Sequence, residues 1–395
     1  MVTLVLSGVA LSCREDAESP TGILPEPAVM ATTGLTWSQM SAGAYHTCGV
    51  ATDSQTYCWG LNRNGELGDG TKESRTRPVV VAGGLRFMQI SASDYHTCGV
   101  TTDSLAYCWG VGADGRLGHG GIGNRLKPTP VRGGRHFRLV NAGSTHTCAV
   151  TAANRAYCWG DNRLGALGDG TTTDRLVPAA VAGGLRFRRV SAGSFYSCGA
   201  TTGDKAYCWG GNGSEIGDGS SSGVRLVPVA VAGGLSLRQV NAGGGHTCGL
   251  TPDHIAYCWG RNLDGAIGDG TTIDRPTPTR VSGGLSFGQI VANGTRTCGV
   301  STSKRTYCWG SNFTGALGDG STTNHLTPLA VTGGIDFGGV SFGNGYHTCG
   351  VTSLKRGYCW GHNAYGQLGN GTNIGPEICQ SIPCSTKPEQ VVGPS

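Results

Sequence analysis

Residues 46–60 read His-Thr-Cys-Gly-Val-Ala-Thr-Asp-Ser-Gln-Thr-Tyr-Cys-Trp-Gly, and close variants of this stretch occur seven times along the chain. Each copy has two short runs of β-forming residues separated by a polar turn, which is the pattern of a β-hairpin. The copies begin at residues 46, 96, 146, 196, 246, 296 and 347, so the spacing is 50 residues with one insertion before the last copy. Such a period predicts an array of similar structural units.

Each repeat contains four short β-forming segments. In one repeat they are Leu85 to Ile90, His96 to Val100, Tyr107 to Gly110 and Pro128 to Val131. The segments are separated by Gly-rich turns and show no helical period, which is typical of propeller blades. A solenoid is the alternative, but solenoid repeats are usually shorter or contain helices. The sequence therefore predicts an all-β, seven-bladed β-propeller with four-stranded blades.

The two ends of the repeat region suggest how the ring closes. The first type of strand stands near the N-terminus at Thr36 to Met40, and the last type stands at the C-terminus at Pro388 to Gly393. Pairing the N- and C-terminal strands would close the ring and leave no free edge. We expect three segments: a signal-like apolar segment at 1–12, a polar tether at 13–33 and the propeller at 34–395.

The repeat resembles that of the regulator of chromosome condensation family. The shared pattern is Gly-x-x-His-Thr-x-x-Val, a turn, Tyr-x-Trp-Gly-x-Asn-x-x-Gly-x-Leu-Gly-x-Gly, and a strand that begins with Pro. It covers residues 34–395. The resemblance implies the propeller fold, but propellers host many unrelated functions, so function has to be argued from individual sites.

Cysteines recur in pairs ten residues apart, and in a hairpin centred on the turn such a pair lies directly opposite across two strands. Cβ atoms at these places are close to disulfide distance. We expect disulfides rather than reduced thiols or a metal array, and hence an oxidising compartment. Cys379 and Cys384, in the longer loop 373–387 of the last repeat, form an eighth expected pair. The other expected pairs are Cys48 and Cys58, Cys98 and Cys108, Cys148 and Cys158, Cys198 and Cys208, Cys248 and Cys258, Cys298 and Cys308, and Cys349 and Cys359.

Cys13 is the one cysteine left without a partner. It follows an apolar run that ends in a small residue, which looks like a bacterial lipoprotein signal and predicts lipidation of Cys13. No Lys or Arg precedes the apolar run, although signal peptides usually begin with a positive charge. Plain secretion and a simple N-terminal tail are the alternatives.

Three further sets of residues recur at fixed positions in most repeats and are interpreted as structural. A catalytic site is normally asymmetric, so repetition in most blades argues for a role in the fold. We expect the histidines to form hydrogen bonds within their blades, the tryptophans to pack, and the Asp and Arg residues to cap and pair in the long loop. The sets are His46, His96, His146, His246 and His347; the tryptophans from Trp59 to Trp360; and Asp69, Asp169, Asp218, Asp269 and Asp319 with Arg75, Arg125, Arg175, Arg225 and Arg275.

The asymmetric features are better candidates for a binding site, and the loop 373–387 is the largest of them. A loop on a rigid scaffold is a common place for binding specificity. Its candidate partner-contacting residues are Asn373, Ile374, Glu377, Gln380 and Lys387; an additional disulfide-stapled turn is the alternative interpretation.

The expected function is non-enzymatic binding of a protein by a lipid-anchored or secreted propeller. No catalytic residues, metal ligands or cofactors are predicted, because no hydrolase, phosphate-loop or zinc-protease motif is found. The net charge of +5 without a Lys/Arg run argues against nucleic acid. The sequence has no apolar run of about 20 residues, so no membrane-spanning helix is expected. Contact with a membrane would therefore require the lipid anchor. We expect an extracytoplasmic monomer; the alternatives are nucleotide exchange on a small GTPase, an enzyme with a site at the channel mouth, and a secreted inhibitor of another protein.

Overall fold

Every repeat forms one antiparallel sheet, and seven sheets surround a central channel in a computed structural model of the chain. The structure describes residues 1, 35–343 and 345–394. The compact unit begins at Leu35. The predicted fold class, an all-β seven-bladed propeller with four-stranded blades, is confirmed.

In the first six blades the four strands follow one another in chain order from the channel outward, and in the seventh the order is β25-β26-β27-β29-β28. The first three blades contain β1 (Trp37–Ala42), β2 (His46–Ala51), β3 (Thr56–Gly60), β4 (Arg75–Val80); β5 (Phe87–Ala92), β6 (His96–Thr101), β7 (Ala106–Gly110), β8 (Arg125–Pro130); and β9 (Phe137–Ala142), β10 (His146–Thr151), β11 (Ala156–Gly160), β12 (Arg175–Ala180). The next two contain β13 (Phe187–Ala192), β14 (Tyr196–Thr201), β15 (Ala206–Gly211), β16 (Val224–Ala230); and β17 (Gln239–Ala242), β18 (His246–Leu250), β19 (Ala256–Gly260), β20 (Arg275–Arg280). The last two contain β21 (Phe287–Asn293), β22 (Arg296–Ser301), β23 (Thr306–Gly310), β24 (His325–Ala330); and β25 (Phe337–Ser341), β26 (His347–Thr352), β27 (Gly357–His362), β28 (Glu377–Cys379), β29 (Ile382–Gln390).

The outermost strand is longer than the sequence predicted. In the second blade it begins at Arg125, whose Cα pairs with that of Gly110, rather than at Pro128. Pro128 is tolerated because this strand lies at the edge of its sheet, where a missing N–H breaks no ladder. In the seventh blade the short strand β28 adds a fifth strand to the sheet.

The ring closes differently from the prediction. β1 pairs with β2 in the first blade, whereas β29 pairs with β27 and β28 in the seventh, so the expected pairing of the N- and C-terminal strands is replaced by contacts between two complete blades. The reason is positional, since β1 lines the channel and β29 lies on the outer side of its sheet. The Trp37 N–H donates to the Lys355 carbonyl at 2.8 Å, just as the Phe87 N–H donates to Ser54 at 3.1 Å.

Seven apolar clusters form the core, one at each junction between blades. At the first junction, the disulfide of Cys48 and Cys58 packs with Leu67 against Phe87 and Trp109 of the next blade. At the closing junction Trp37 takes the place of the phenylalanine. Because buried apolar surface is the dominant stabilising term, we expect the aromatic side chains buried between the sheets to contribute most to the stability of the propeller.

The cysteines of each hairpin face each other in register. Cys98 pairs with Cys108 across β6 and β7, with a Cα–Cα distance of 4.1 Å in the disulfide. All sixteen cysteines from Cys48 to Cys384 are joined in this structure with the partners expected from their spacing. Cys13 and the segments 1–12 and 13–33 lie outside the described residues, apart from Met1. In the part of the chain that the structure describes, no helix has the length and apolar character of a membrane span.

Candidate functional site

One face of the propeller carries the longest loops, and we call it the loop face. It is formed by the turns between the first and second strands of each blade, such as 43–45 and 193–195, and by the loops that follow each Trp-Gly pair, such as 61–74. The other face carries the short turns such as 52–55 and the connections between blades such as 82–86. We call this the opposite face.

A curved depression runs along the loop face, and we call it the loop-face groove. Its first part, about 570 Å³, lies between Tyr95 and Phe195. The second part, about 320 Å³, shares Ser194 with the first. The third part, about 530 Å³, shares Asp264 with the second and ends at Gln380. Shared rim residues join the three parts into one groove that passes from the second blade to the seventh.

Exposed aromatic side chains stand along this groove. Tyr95 is 42% exposed, Phe195 is 49% exposed and Tyr346 is 36% exposed. All three occupy the same position in the repeat, directly before the second strand, so the turn presents each ring on the loop face. Large exposed rings are unusual on a surface that meets only water, and they are enriched in protein interfaces.

Aromatic rings also cluster where the first and seventh blades meet. Tyr45 lies 5.4 Å from Tyr365 between ring centroids, and His362 lies 6.0 Å from Tyr365 and 6.3 Å from Tyr346. Burial lowers the pKa of His362 to about 4, and its Nδ1 atom is 2.6 Å from the Gln367 carboxamide. The cluster is therefore an uncharged aromatic platform beside the end of the groove at neutral pH.

Arg296 forms the floor of the third part of the groove. It replaces the repeated histidine, is buried, and donates to the Gly345 carbonyl. Its guanidinium lies 5.7 Å from the Phe342 ring centroid and 6.0 Å from that of Tyr346, which are cation–π distances. Burial lowers the pKa of Arg296 to about 10, so the group still carries its charge at neutral pH.

The loop 373–387 folds as a hairpin at the end of the groove. β28 and β29 are joined by Gln380 and Ser381, both of which have positive φ, as a tight hairpin turn requires. Cys379 and Cys384 bridge the two strands, with a Cα–Cα distance of 5.9 Å.

The five predicted partner-contacting residues of this loop differ in their exposure and in their contacts. Asn373, Ile374, Gln380 and Lys387 are exposed, and Gln380 is the one that lines the groove. Glu377 accepts the Thr386 N–H at 3.1 Å, so its carboxylate is already engaged within the hairpin.

A group of possible metal ligands lies in the same hairpin. Among the described residues, ligand atoms of Glu377, Cys379 and Cys384 lie within 4.8 Å of one another. The two sulfur atoms are bonded to each other in the disulfide, so neither is a thiolate that could hold a metal. The geometry of this group is that of a stapled turn.

The repeated histidines connect neighbouring blades, which differs from the expected bonds within a blade. His96 Nε2 lies 2.9 Å from Thr147 Oγ1, and the other four contact a threonine hydroxyl or, for His146, the Ser197 hydroxyl one blade further on. Tyr196 replaces the histidine in the fourth blade and bonds Thr247 Oγ1 at 2.9 Å. The ring of histidines is therefore part of the scaffold rather than a chemical site.

The repeated Asp and Arg residues pair inside the long loop. In the third blade Arg175 Nε donates to Asp169 at 2.7 Å, and Thr171 donates through its N–H and its hydroxyl. Burial alone would raise the pKa of Asp169, but the hydrogen bonds from Thr171 and Arg175 hold it below its usual range. Asn162, which is buried, ties the loop together by bonding Asp169 and Leu167.

The second blade lacks this network. Gly112 and His119 stand where the third blade has Asn162 and Asp169. Both ring nitrogens of His119 are buried and have no partner among the described atoms. Burial, and then the charges of Arg125 and Arg132, lower the pKa of His119. This loop therefore lacks the Asn, Asp and Arg bonds that hold the loop of the third blade together.

The groove was not predicted from the sequence. Its walls come from turns that are about 50 residues apart in the sequence, and the closest available signal was the aromatic residue before the second strand in four repeats, Tyr45, Tyr95, Phe195 and Tyr346.

Known proteins share the repeat and the fold. A model of the regulator of chromosome condensation (RCC1) repeat matches residues 53–100, 103–150, 154–200 and 356–395, and a second model of the same repeat matches residues 37–66, 89–116, 137–166, 187–215 and 237–266. Together the matches span more than half of the chain. No curated protein gives a match.

Solved structures agree with this. Human WBSCR16 superposes with a TM-score of 0.72 at 19% identity, over 78% of this chain and 85% of that chain. Yeast RCC1 (Prp20), solved with Kap60, gives a TM-score of 0.70 at 20% identity over 78% of each chain. The ectodomain of the Physcomitrella patens receptor kinase CR4 gives 0.54 at 23% identity, over 83% of this chain and 74% of that chain. At these identities the likeness concerns the fold.

Proposed function

Because this chain belongs to the family of regulator of chromosome condensation (RCC1) repeat proteins, we propose that it is a non-enzymatic, extracytoplasmic propeller that binds a protein partner in the loop-face groove. The observation that carries the proposal is the row of exposed rings at Tyr95, Phe195 and Tyr346 along a continuous groove. Aromatic anchors beside recesses are typical of the centres of protein interfaces.

The chemistry of the groove suits a protein segment with apolar side chains. Tyr95 and Phe195 wall a recess whose floor includes Val111 and Thr145, so an apolar side chain would be covered on several sides. At the far end, Gln380 and Asp264 offer polar contacts at the rim. An apolar centre with a polar rim is the usual anatomy of such interfaces. Protein binding is also seen in one structural neighbour, because yeast RCC1 (Prp20) was solved with Kap60 bound.

The cysteines support the compartment. Sixteen of them are paired in eight disulfides, a content that is rare in reducing compartments and common in secreted proteins. We further propose that Cys13 carries the lipid anchor and that the protein is a monomer. Labelling cells with a fatty-acid analogue tests the anchor: label on the wild type but not on a Cys13→Ser variant supports it, and an unlabelled wild type contradicts it.

Site-specific photo-cross-linking tests the groove. A photoreactive phenylalanine analogue is placed at position 95, 195 or 346, and as a control at Leu354, which is 66% exposed on the opposite face. We expect one protein to cross-link at the three groove positions and not at position 354. Equal cross-linking at position 354, or capture of different proteins at each groove position, would contradict a defined interface.

A truncation experiment then measures the contribution of the rings. Tyr95→Ala and Phe195→Ala should each weaken binding of the captured protein at least tenfold, as anchors at the centre of an interface do. Leu354→Ala is the matched surface control. A nucleotide-exchange assay distinguishes exchange activity from binding alone. The propeller is added to purified small GTPases loaded with fluorescent GDP, and accelerated release of the nucleotide would contradict the proposal of a function in binding alone.

A further inference from the structure

The innermost strands of the seven blades surround a channel of about 500 Å³. The channel is separate from the loop-face groove and is lined by the first strand of each blade. Polar side chains dominate its wall, among them Gln39, Ser91, Asn141 and Asn241.

Side chains in the channel wall bond neighbouring blades together with their acceptor atoms. The Ala92 N–H donates to Ser41 Oγ at 2.9 Å, and the Ala192 N–H donates to Asn141 Oδ1 at 2.7 Å. The same bond recurs at four other junctions. Each of these oxygens accepts one bond and keeps a second lone pair, and the serine hydroxyls and asparagine carboxamides also carry N–H or O–H donors. The wall therefore has hydrogen-bond donors that can contact a ligand in the channel.

A second position on the same strands adds a charged donor in the fourth blade. Gln39 uses both ends of its carboxamide, donating to the Ile90 carbonyl at 2.9 Å and accepting the Ile90 N–H at 3.1 Å. Gln89 and Gln289 do the same to the next blade. The fourth blade has Arg189 at this position. A guanidinium has no acceptor, so Arg189 cannot copy the glutamine bonds, and its side chain is exposed in the channel wall.

The wall of the channel carries positive charge. Arg189 and Lys355 line the channel, and none of the described lining residues is Asp or Glu. The neighbouring segments 132–138 and 182–189 contain six arginines; Arg189 is the one that lines the channel, and Arg188 pairs with Asp204 at 2.7 Å. Burial and then the charge of Arg189 lower the pKa of Arg138, which shows that the two guanidinium groups affect each other. A recess with this composition attracts anions.

We propose that the channel binds a small oxyanion with two or more negative charges, held by Arg189 and by the amide and hydroxyl donors of the wall. Such a ligand would carry carboxylate, phosphate or sulfate groups, because planar guanidinium groups pair with these oxygens. The volume of about 500 Å³ lies in the range of small-molecule sites and suits a compact metabolite-sized anion. This site does not depend on the partner proposed for the loop face.

Isothermal titration calorimetry with citrate, inorganic phosphate and inorganic sulfate tests the proposal, with sodium chloride at equal ionic strength as the reference. The decisive variant is Arg189→Gln, which restores the residue found at the same position in four other blades and is expected to fold. We expect saturable binding with one site per wild-type chain and at least tenfold weaker binding in Arg189→Gln. Arg86→Gln, which removes the same charge from the opposite face of the first blade, should bind like the wild type.

Three results would overturn the site. The first is equal binding by the wild type and Arg189→Gln, and the second is an equal loss in Arg86→Gln, which would mean that only net charge matters. The third is a wild type that binds none of the three anions more tightly than chloride. Among the probes, preference for citrate over phosphate and sulfate would assign a carboxylate ligand, and the reverse preference would assign a phosphate or sulfate ligand.

Discussion

The Nε2 atom of His46 lies 2.8 Å from the Oγ1 atom of Thr97 in the next blade. Thr97 Oγ1 is also 3.0 Å from the Glu66 carbonyl oxygen, which must accept the single hydroxyl proton. The hydroxyl therefore accepts from the imidazole, so His46 carries a proton on Nε2. Burial lowers the pKa of His46 to about 4, so the ring is neutral at pH 7. Trp109 Nε1 donates to the same carbonyl at 2.9 Å. One carbonyl, one hydroxyl, one imidazole and one indole thus hold two blades together.

Removing the hydroxyl should break this junction. Thr97→Val keeps the shape of the side chain. It leaves the buried His46 Nε2 without its hydrogen-bond partner, and the Glu66 carbonyl keeps only the bond from Trp109. We expect the free energy of unfolding to fall by about 2–3 kcal/mol, measured by guanidinium denaturation. Thr97→Ser is the matched control, because Ser197 fills the same role beside His146 at 2.8 Å. It should cost less than about 1 kcal/mol, and an equal loss in both variants would contradict the hydrogen-bond account.

The neutral histidines predict that acid weakens the propeller. Burial lowers the pKa of His46, His146 and His246 from 6.5 to about 4. Between these two pH values the unfolded chain binds protons that the folded chain does not, so stability is complete above about pH 6.5 and falls as the pH drops toward 4. We expect a loss of about 2–3 kcal/mol for each such histidine between pH 7 and pH 4.5, measured by denaturation at several pH values.

A tyrosine variant separates the histidine effect from general acid sensitivity. Tyr196 occupies the histidine position in the fourth blade and bonds the next blade through its hydroxyl, which does not titrate in acid. His46→Tyr should therefore fold and lose less stability than the wild type over the same pH range. An unchanged pH profile in His46→Tyr would contradict titration of this residue.

The second blade offers a stabilising substitution. His119 stands where Asp169 stands in the third blade, and Arg125 stands where Arg175 stands. His119→Asp should supply the missing carboxylate to Arg125 and to the Gly121 N–H, raising the free energy of unfolding by about 1 kcal/mol. The reverse exchange, Asp169→His, should lower it, because Arg175 loses its 2.7 Å partner. A loss of stability in His119→Asp would show that this loop is not equivalent to that of the third blade.

The sequence predicted what is decided within one repeat and missed what is decided between repeats. Cys98 and Cys108 belong to one hairpin, so their spacing alone places them opposite each other. His46 and Thr97 are 51 residues apart, and no local pattern shows that they meet. The closure was predicted wrongly for the same reason: the chain order of strands does not say which lines the channel. Arg189 looks like an ordinary surface arginine until the ring places it in the channel wall.

The disulfides within the blades should stabilise the fold more than the one in the peripheral hairpin. The pair Cys98–Cys108 closes a loop of ten residues' separation in the core, so replacing both with Ala should cost about 3 kcal/mol in the chain-entropy model, with lost packing added. The pair Cys379–Cys384 closes a shorter loop at the periphery, with a sequence separation of 5. Replacing both with Ala should therefore lower the free energy of unfolding less and make proteolysis near Gln380 faster. Guanidinium denaturation and limited proteolysis measure the two effects.

Mass spectrometry after alkylation without reductant should find all sixteen cysteines from Cys48 to Cys384 unmodified. Alkylation of several of them in the native protein would contradict both the disulfides and the extracytoplasmic proposal.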